Sequence, residues 1–194
     1  MKSIIWFRGD LRIDDNPALR SAFENSNEVN AIFLYSQEQL KDHNEANVKI
    51  DFLIKNLKSL SDSLKKLNVP LSIIESSGFN EDPEIIIEAA KERNIDKVFF
   101  NKQFGEDEQK RDKKLISLLE SSSIKAEFFN DQIVYEAGSI RTGQDNPYSV
   151  FTPFKRRWVE NFDMEFLDIE YKYTPMVQGN ISSNISTYDF DFKK

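Results

Sequence analysis

The 194-residue chain has no cysteine, one histidine and only six glycines. The missing cysteines exclude disulfides, thiolate zinc sites, iron–sulfur clusters and a cysteine nucleophile together. His43 leaves no second imidazole for a multi-histidine metal site, and a serine hydrolase would have only this base. No two glycines are spaced G-x-G, so the dinucleotide fingerprint is absent after the first apolar run, where Arg8-Gly9-Asp10 stands instead. Gly138 and Gly143 have the spacing of a phosphate loop, but Gln144 occupies the lysine position and no helix clearly follows. Long apolar runs are also lacking. The first ends at Arg8, too short for a signal peptide or a membrane span, so the expected compartment is the cytoplasm. Acids exceed bases, giving a net charge of −7. The surface as a whole is therefore expected to bind nucleic acid poorly, because phosphate neutralisation needs clustered lysine and arginine.

What remains is a globular composition, 39% hydrophobic and 12% aromatic with 30% charged residues. At about 150 residues per domain, the length allows one domain and a connector. Ser3 to Phe7, Val29 to Tyr35, Pro70 to Glu75, Asp96 to Asn101 and Ile124 to Phe129 read as buried strands. Between them, Pro17 to Asn25, Ala46 to Leu67, Pro83 to Arg93 and Gly105 to Leu119 place apolar residues at helical spacing. Asn16 and Asp82 stand where they would cap the helices that Pro17 and Pro83 open. This alternation requires right-handed crossovers and a parallel sheet of about five strands covered on both faces. The expectation is a three-layer, Rossmann-like α/β domain over residues 1–134. From Tyr135 the chain is punctuated by glycine and proline, with Thr152 to Phe162 as one helical candidate. Residues 135–194 are expected to form an irregular connector with a short helix. Its last part, Gly179 to Lys194, is polar with isolated Tyr188, Phe190 and Phe192, and is expected to pack on something else.

Ligands of such sheets sit at the carboxyl ends of the strands. After the first strand, Arg8 and Arg12 stand among Asp10 and Asp15, and ion pairs between them would order the turn. After the fourth, Glu106, Asp107 and Glu108 open a helix, where they either complement its dipole or contact a ligand. His43 follows the second strand and lines the same edge, either simply solvated or in a functional role. Asn146 to Trp158 interleaves aromatics with Lys155-Arg156-Arg157. One reading is base stacking with phosphate contact. The other buries Phe151, Phe154 and Trp158 at i, i+3 and i+7 and projects the basic triplet into solvent, and the spacing favours it.

In this order, Trp6-Phe7-Arg8, Asp10-Leu11-Arg12, Asp15-Asn16, Arg111-Asp112 and Asn146 to Trp158 resemble the N-terminal part of the DNA photolyase and cryptochrome family. Phe151-Thr152-Pro153-Phe154-Lys155 is similar to bacterial class I cyclobutane pyrimidine dimer photolyases. The resemblance covers about Ser3 to Trp158. It implies a light-harvesting antenna domain that passes energy to a reduced flavin (FAD) in a helical domain of the same polypeptide. That domain flips the pyrimidine dimer out of DNA and splits it, a carbon–carbon lyase reaction. In members with a methenyltetrahydrofolate-type antenna, an Asn-Glu pair and a histidine hold the pterin. Aligning Phe100-Asn101-Lys102-Gln103-Phe104 places them on Asp107, Glu108 and His43. Glu108 matches, whereas a carboxylate at Asp107 loses the amide donor. Other members hold a deazaflavin or flavin in this domain instead.

The family's flavin and lesion residues have no counterpart in this chain, which is therefore expected to hold no catalytic residue and to be unable to repair DNA by itself. The chain ends at Phe192-Lys193-Lys194, about where the connector would enter the helical domain, and a monomer without membrane contact is expected. The rival readings are a cryptochrome-type light receptor, a free-standing nucleotide- or small-molecule-binding module, and a protein-interaction domain. Under the free-standing reading, Gly179 to Lys194 would be ordered on the domain.

Overall fold

The computed structural model describes residues 1–163, 171–177 and 183–190. Its elements in chain order are β1 (Lys2–Phe7), α1 (Pro17–Asn25), β2 (Glu28–Tyr35), α2 (Gln37–Asp42), α3 (Asn47–Lys66), β3 (Leu71–Glu75), α4 (Asp82–Glu92), β4 (Lys97–Asn101), α5 (Glu106–Ser121), β5 (Lys125–Phe129) and α6 (Phe151–Glu160). The strands form one five-stranded sheet in the order β3-β2-β1-β4-β5, with every pair parallel.

Alternation along β1 builds a core on each face. Ile5 and Phe7 join Leu19 of α1 and Leu57, Leu60 and Leu64 of α3 on one side. Ile4 and Trp6 join Ile86 and Ala90 of α4 and Leu115 and Leu119 of α5 on the other. The α/β expectation is met. β5 is the exception among strands read as buried: it is an edge strand, and Phe128 remains 42% exposed while stacking on Phe100 at 5.6 Å.

Three further expectations are corrected. The stretch from Gln37 to Asp42 is a short helix, N-capped by Ser36 Oγ accepting from the Gln39 amide, and His43 is its C-cap rather than a loop residue. Asp82 does not cap α4. It is the first helical residue, and its carboxylate turns inward to accept from Ser76 Oγ at 2.6 Å. No residue of α6 is buried, and Phe151 is 71% exposed, because α6 lies off the sheet against loop aromatics, with Trp158 edge-on to Tyr135 and Phe154 edge-on to Tyr148.

Residues 171–177 and 183–190 also pack differently from expectation, since they lie on the α/β core. Met176 is buried and donates its N–H to the Leu67 carbonyl at 2.9 Å, while Tyr188 and Phe190 meet Tyr35 edge-on. Asn184 pairs with β3 as a strand would. Its Oδ1 accepts the Ile73 amide at 2.7 Å and its Nδ2 donates to the Ile73 carbonyl at 2.8 Å. That contact covers the otherwise open edge of β3. Phe192 and the remainder of Gly179 to Lys194 outside 183–190 lie beyond the described residues.

Candidate functional site

Strand order reverses between β1 and β4, so the loops leaving their carboxyl ends run to opposite faces at the junction where such sheets hold ligands. Two buried networks fill this junction. In the first, the side chain of Arg8 turns inward, stacks on Trp6 and Phe100 with its guanidinium carbon 4.6 and 4.9 Å from the ring centres, and donates to Asp112 Oδ1 at 2.7 Å. It also donates to the Asn101 carbonyl. Arg111 lies 4.7 Å from the same Trp6 ring and donates to Asp112 Oδ1 through Nε at 3.0 Å and Nη2 at 2.8 Å. A single carboxylate oxygen thus serves two buried cations. Burial lowers the Arg8 pKa to about 10, partly offset by Asp112, so the guanidinium stays charged at neutral pH.

The second network joins the β1 loop, the start of α1 and the end of β4. Asn101 Nδ2 donates to Asp10 Oδ2 at 2.6 Å and to Asn16 Oδ1 at 2.9 Å. Asn16 Oδ1 also caps α1 by accepting from the Leu19 amide, as the sequence predicts. The expected arginine–aspartate pairs within the turn are replaced by longer-range ones. Arg8 pairs with Asp112, Arg12 pairs with Asp131 beyond β5, and Asp10 accepts from the Arg8 amide at 2.8 Å. Side chains brought from distant strands outcompete neighbours in sequence because they meet Arg8 where little water screens the charge.

Arg111 continues the first network outward. It donates to Gln103 Oε1 at 2.8 Å, faces Asp82 at 3.7 Å and stacks on Phe79 at 5.2 Å, and the Phe79 ring lies 6.5 Å from that of His43. Glu108 stands one turn before Arg111 on α5. Its carboxylate folds back over Gly105, where any Cβ would collide with it, and among the described residues it has no hydrogen bond or ion pair. A side chain at position 105 would make this carboxylate swing away. Asp107 points outward instead and lies 3.6 Å from Lys110. The predicted residues thus fall on one edge in unequal settings: Glu108 half-buried and unpartnered, His43 exposed beside Phe79, and Asp107 exposed.

The family described as DNA photolyase matches residues 3–175 of this chain. The chain belongs to the DNA photolyase family. It is 33% identical over 183 residues to the deoxyribodipyrimidine photo-lyase of Vibrio cholerae, covering 94% of this chain and 38% of that protein. Its fold is similar to the crystal structure of a class III photolyase from Agrobacterium tumefaciens, with TM-score 0.75 and 24% identity over 96% of this chain and 37% of that one. An archaeal photolyase from Sulfolobus tokodaii, described with two FAD molecules and an implied novel light-harvesting cofactor, matches with TM-score 0.64 and 21% identity over 80% of this chain and 34% of that one. The chain spans little more than a third of the length of these photolyases.

Within this photolyase domain, Phe79, Asp82 and Gln103 are site residues that the sequence reading missed. A signal for their partner Arg111 was present, because it lies on the same helical stripe as Leu115 and Leu119 and so had to face the core. Nothing local marked Phe79, which enters through the loop before α4. Among the described residues, no cluster of His, Asp and Glu is arranged to hold a metal ion, and no helix is long and apolar enough to cross a membrane.

Proposed function

We propose that this chain is the antenna domain of a light-driven pyrimidine-dimer photolyase, and that its cofactor pocket lies at the edge bearing Glu108, Asp107 and His43. The observation that carries the pocket is the unpartnered, half-buried Glu108 carboxylate at the start of α5, on the edge where Phe79 and Arg111 lead to His43. A carboxylate offers only acceptors, which suits the amino and ring N–H groups of a pterin. The residues present fit a methenyltetrahydrofolate-type group: Glu108 would accept from its ring edge, and Asp107 and His43 would flank it. When bound, such a group absorbs near-ultraviolet light and passes the excitation on. Dimer cleavage, the flavin and the damaged DNA belong to a helical domain of the same polypeptide. The assignment of residues 1–134 to the antenna domain and 135–194 to the connector is part of the same reading.

Fluorescence titration of the 194-residue chain with methenyltetrahydrofolate, a deazaflavin and FAD tests the pocket. Folate is expected to bind, and Glu108→Ala is expected to abolish that binding. Unchanged binding in the variant, or binding of the flavin-type compounds alone, would refute the assigned site. Illumination of the chain with a dimer-containing oligonucleotide is expected to give no repair, and measurable repair would overturn the placing of the chemistry outside this domain.

A further inference from the structure

Because α6 is not buried, its basic residues take part in a second concavity. Between α6 and the turn at 138–147 lies a cleft of about 380 Å³, lined by Thr142, Gly143, Tyr148, Arg156, Arg157 and Glu160 among others. The turn forms a braced wall. Arg141 donates to the Gly138 carbonyl at 2.9 Å and to the Asp145 carbonyl at 3.0 Å, and an antiparallel bridge joins Arg141 to Pro147. Thr142 Oγ1 accepts from the Asn146 amide at 3.1 Å, which leaves its own hydroxyl proton free to donate. On the opposite wall Arg157 is 3.7 Å from Glu160 and half exposed, while Arg156 and the neighbouring Lys155 have no partner among the described residues. From Arg141 to Glu160 four basic residues stand against two acidic ones, Asp145 and Glu160, in a chain whose net charge is −7. Phe151, 71% exposed at the start of the helix, presents an aromatic face beside this charge.

We propose that this cleft binds the phosphodiester backbone of a nucleic acid. Arg156 and Arg157 supply the charge-assisted contacts, the Thr142 and Tyr148 hydroxyls supply donors, and Phe151 offers a stacking surface for an adjacent base. The inference rests on the reading of this chain as part of a DNA-acting photolyase and adds a contact of its own on this domain. A free phosphate shares the recognition chemistry, but the exposed aromatic and the additional cation at Lys155 fit a polymer that continues past the cleft.

The test is fluorescence anisotropy of a labelled, undamaged, single-stranded oligonucleotide titrated with the 194-residue chain in the dark. Binding with a dissociation constant on the order of 10⁻⁴ to 10⁻⁶ M and a strong salt dependence is expected. Replacing both Arg156→Gln and Arg157→Gln is expected to weaken it and to reduce the log–log salt slope by about 1 to 2. Gly143→Asp gives an independent check. Gly143 has an ordinary φ and a Cβ there would meet nothing within 4 Å, so the fold is preserved while a negative charge enters the cleft wall. Affinity should fall about fivefold. No binding, or an unchanged affinity and salt slope in both variants, overturns the proposal. So does displacement of the oligonucleotide by inorganic phosphate beyond that by chloride at equal ionic strength, which would mark a free-anion site. The oligonucleotide carries no lesion and no pigment is added, so failure here leaves the folate titration standing, and failure of that titration leaves this cleft standing.

Discussion

Asp112→Asn removes one charge from the buried cluster with Arg8 and Arg111 while keeping its shape, and the structure sets the size of the effect. The side chains of Arg8, Arg111 and Asp112 are 6%, 4% and 12% exposed, so water can do little to replace the lost carboxylate. Two guanidiniums would remain around one Trp6 ring, with Asp82 3.7 Å from Arg111 as that cation's remaining acidic partner. Breaking such a buried pair costs about 3–5 kcal/mol, against about 0–1 kcal/mol for a surface pair. At about 2–4 °C per kcal/mol for a chain of this size, Tm should fall by roughly 6–20 °C. Urea unfolding followed by far-ultraviolet circular dichroism measures the loss directly. A double-mutant cycle with Arg8→Met then separates charge from shape: if the unpaired cation is the cause, the double variant is less destabilised than the sum of the singles by about 1–3 kcal/mol. A loss below about 1 kcal/mol for Asp112→Asn, or an additive cycle, would refute the argument that this carboxylate neutralises buried cations.

Asn184→Ala removes both hydrogen bonds to Ile73 and should destabilise the chain by about 1–3 kcal/mol, with faster hydrogen exchange at the Ile73 amide. Unchanged exchange there would show that Asn184 does not cover the β3 edge. Asn16→Ala takes away the α1 cap together with an acceptor for Asn101 and should lower the urea midpoint by the equivalent of about 1–2 kcal/mol; a loss of a few tenths would mean that the cap alone matters little. Burial raises the Asp82 carboxyl above its ordinary value of 3.8, with Ser76 and Arg111 opposing the shift. The folded state then holds the proton more tightly than the unfolded state, so the contribution of Asp82 to stability declines as pH rises from the unfolded pKa through the folded one. Asp82→Asn should flatten that segment of the stability–pH curve, and a constant offset at every pH would contradict the shift.

The strands were legible because a sheet covered on both faces demands continuous apolar runs, and Ser3 to Phe7 or Val29 to Tyr35 satisfies that demand without help from context. β5 breaks that run with Lys125 and Glu127, and as an edge strand it leaves Phe128 partly in water, a place in the order that its aromatic pair alone did not state. α2 escaped for a different reason. Gln37, Glu38, Gln39 and Lys41 give six residues almost no apolar period, and the one local sign was the S-x-x-Q pattern from Ser36 to Gln39. Asp82 was read as a cap because Pro83 follows it, but Ser76 and Arg111 offer its carboxylate partners that only the tertiary fold brings within reach.

The same limit explains α6 and the charge of the chain. Helical spacing states that Phe154 and Trp158 share a face, not that anything covers it, and here the cover is two loop tyrosines rather than the sheet. A net charge averages over surfaces that never meet. Glu106 and Asp107 gather at the start of α5, while Lys155 to Arg157 sit on α6 opposite a braced turn. Phosphate feels the local field within about one Debye length, roughly 8 Å at physiological salt, so an acidic total does not decide whether one face attracts it. Affinity for a polyanion became arguable only once the fold showed which basic residues share a concavity, with Glu160 as the one acid lining it and Glu106 and Asp107 on another element.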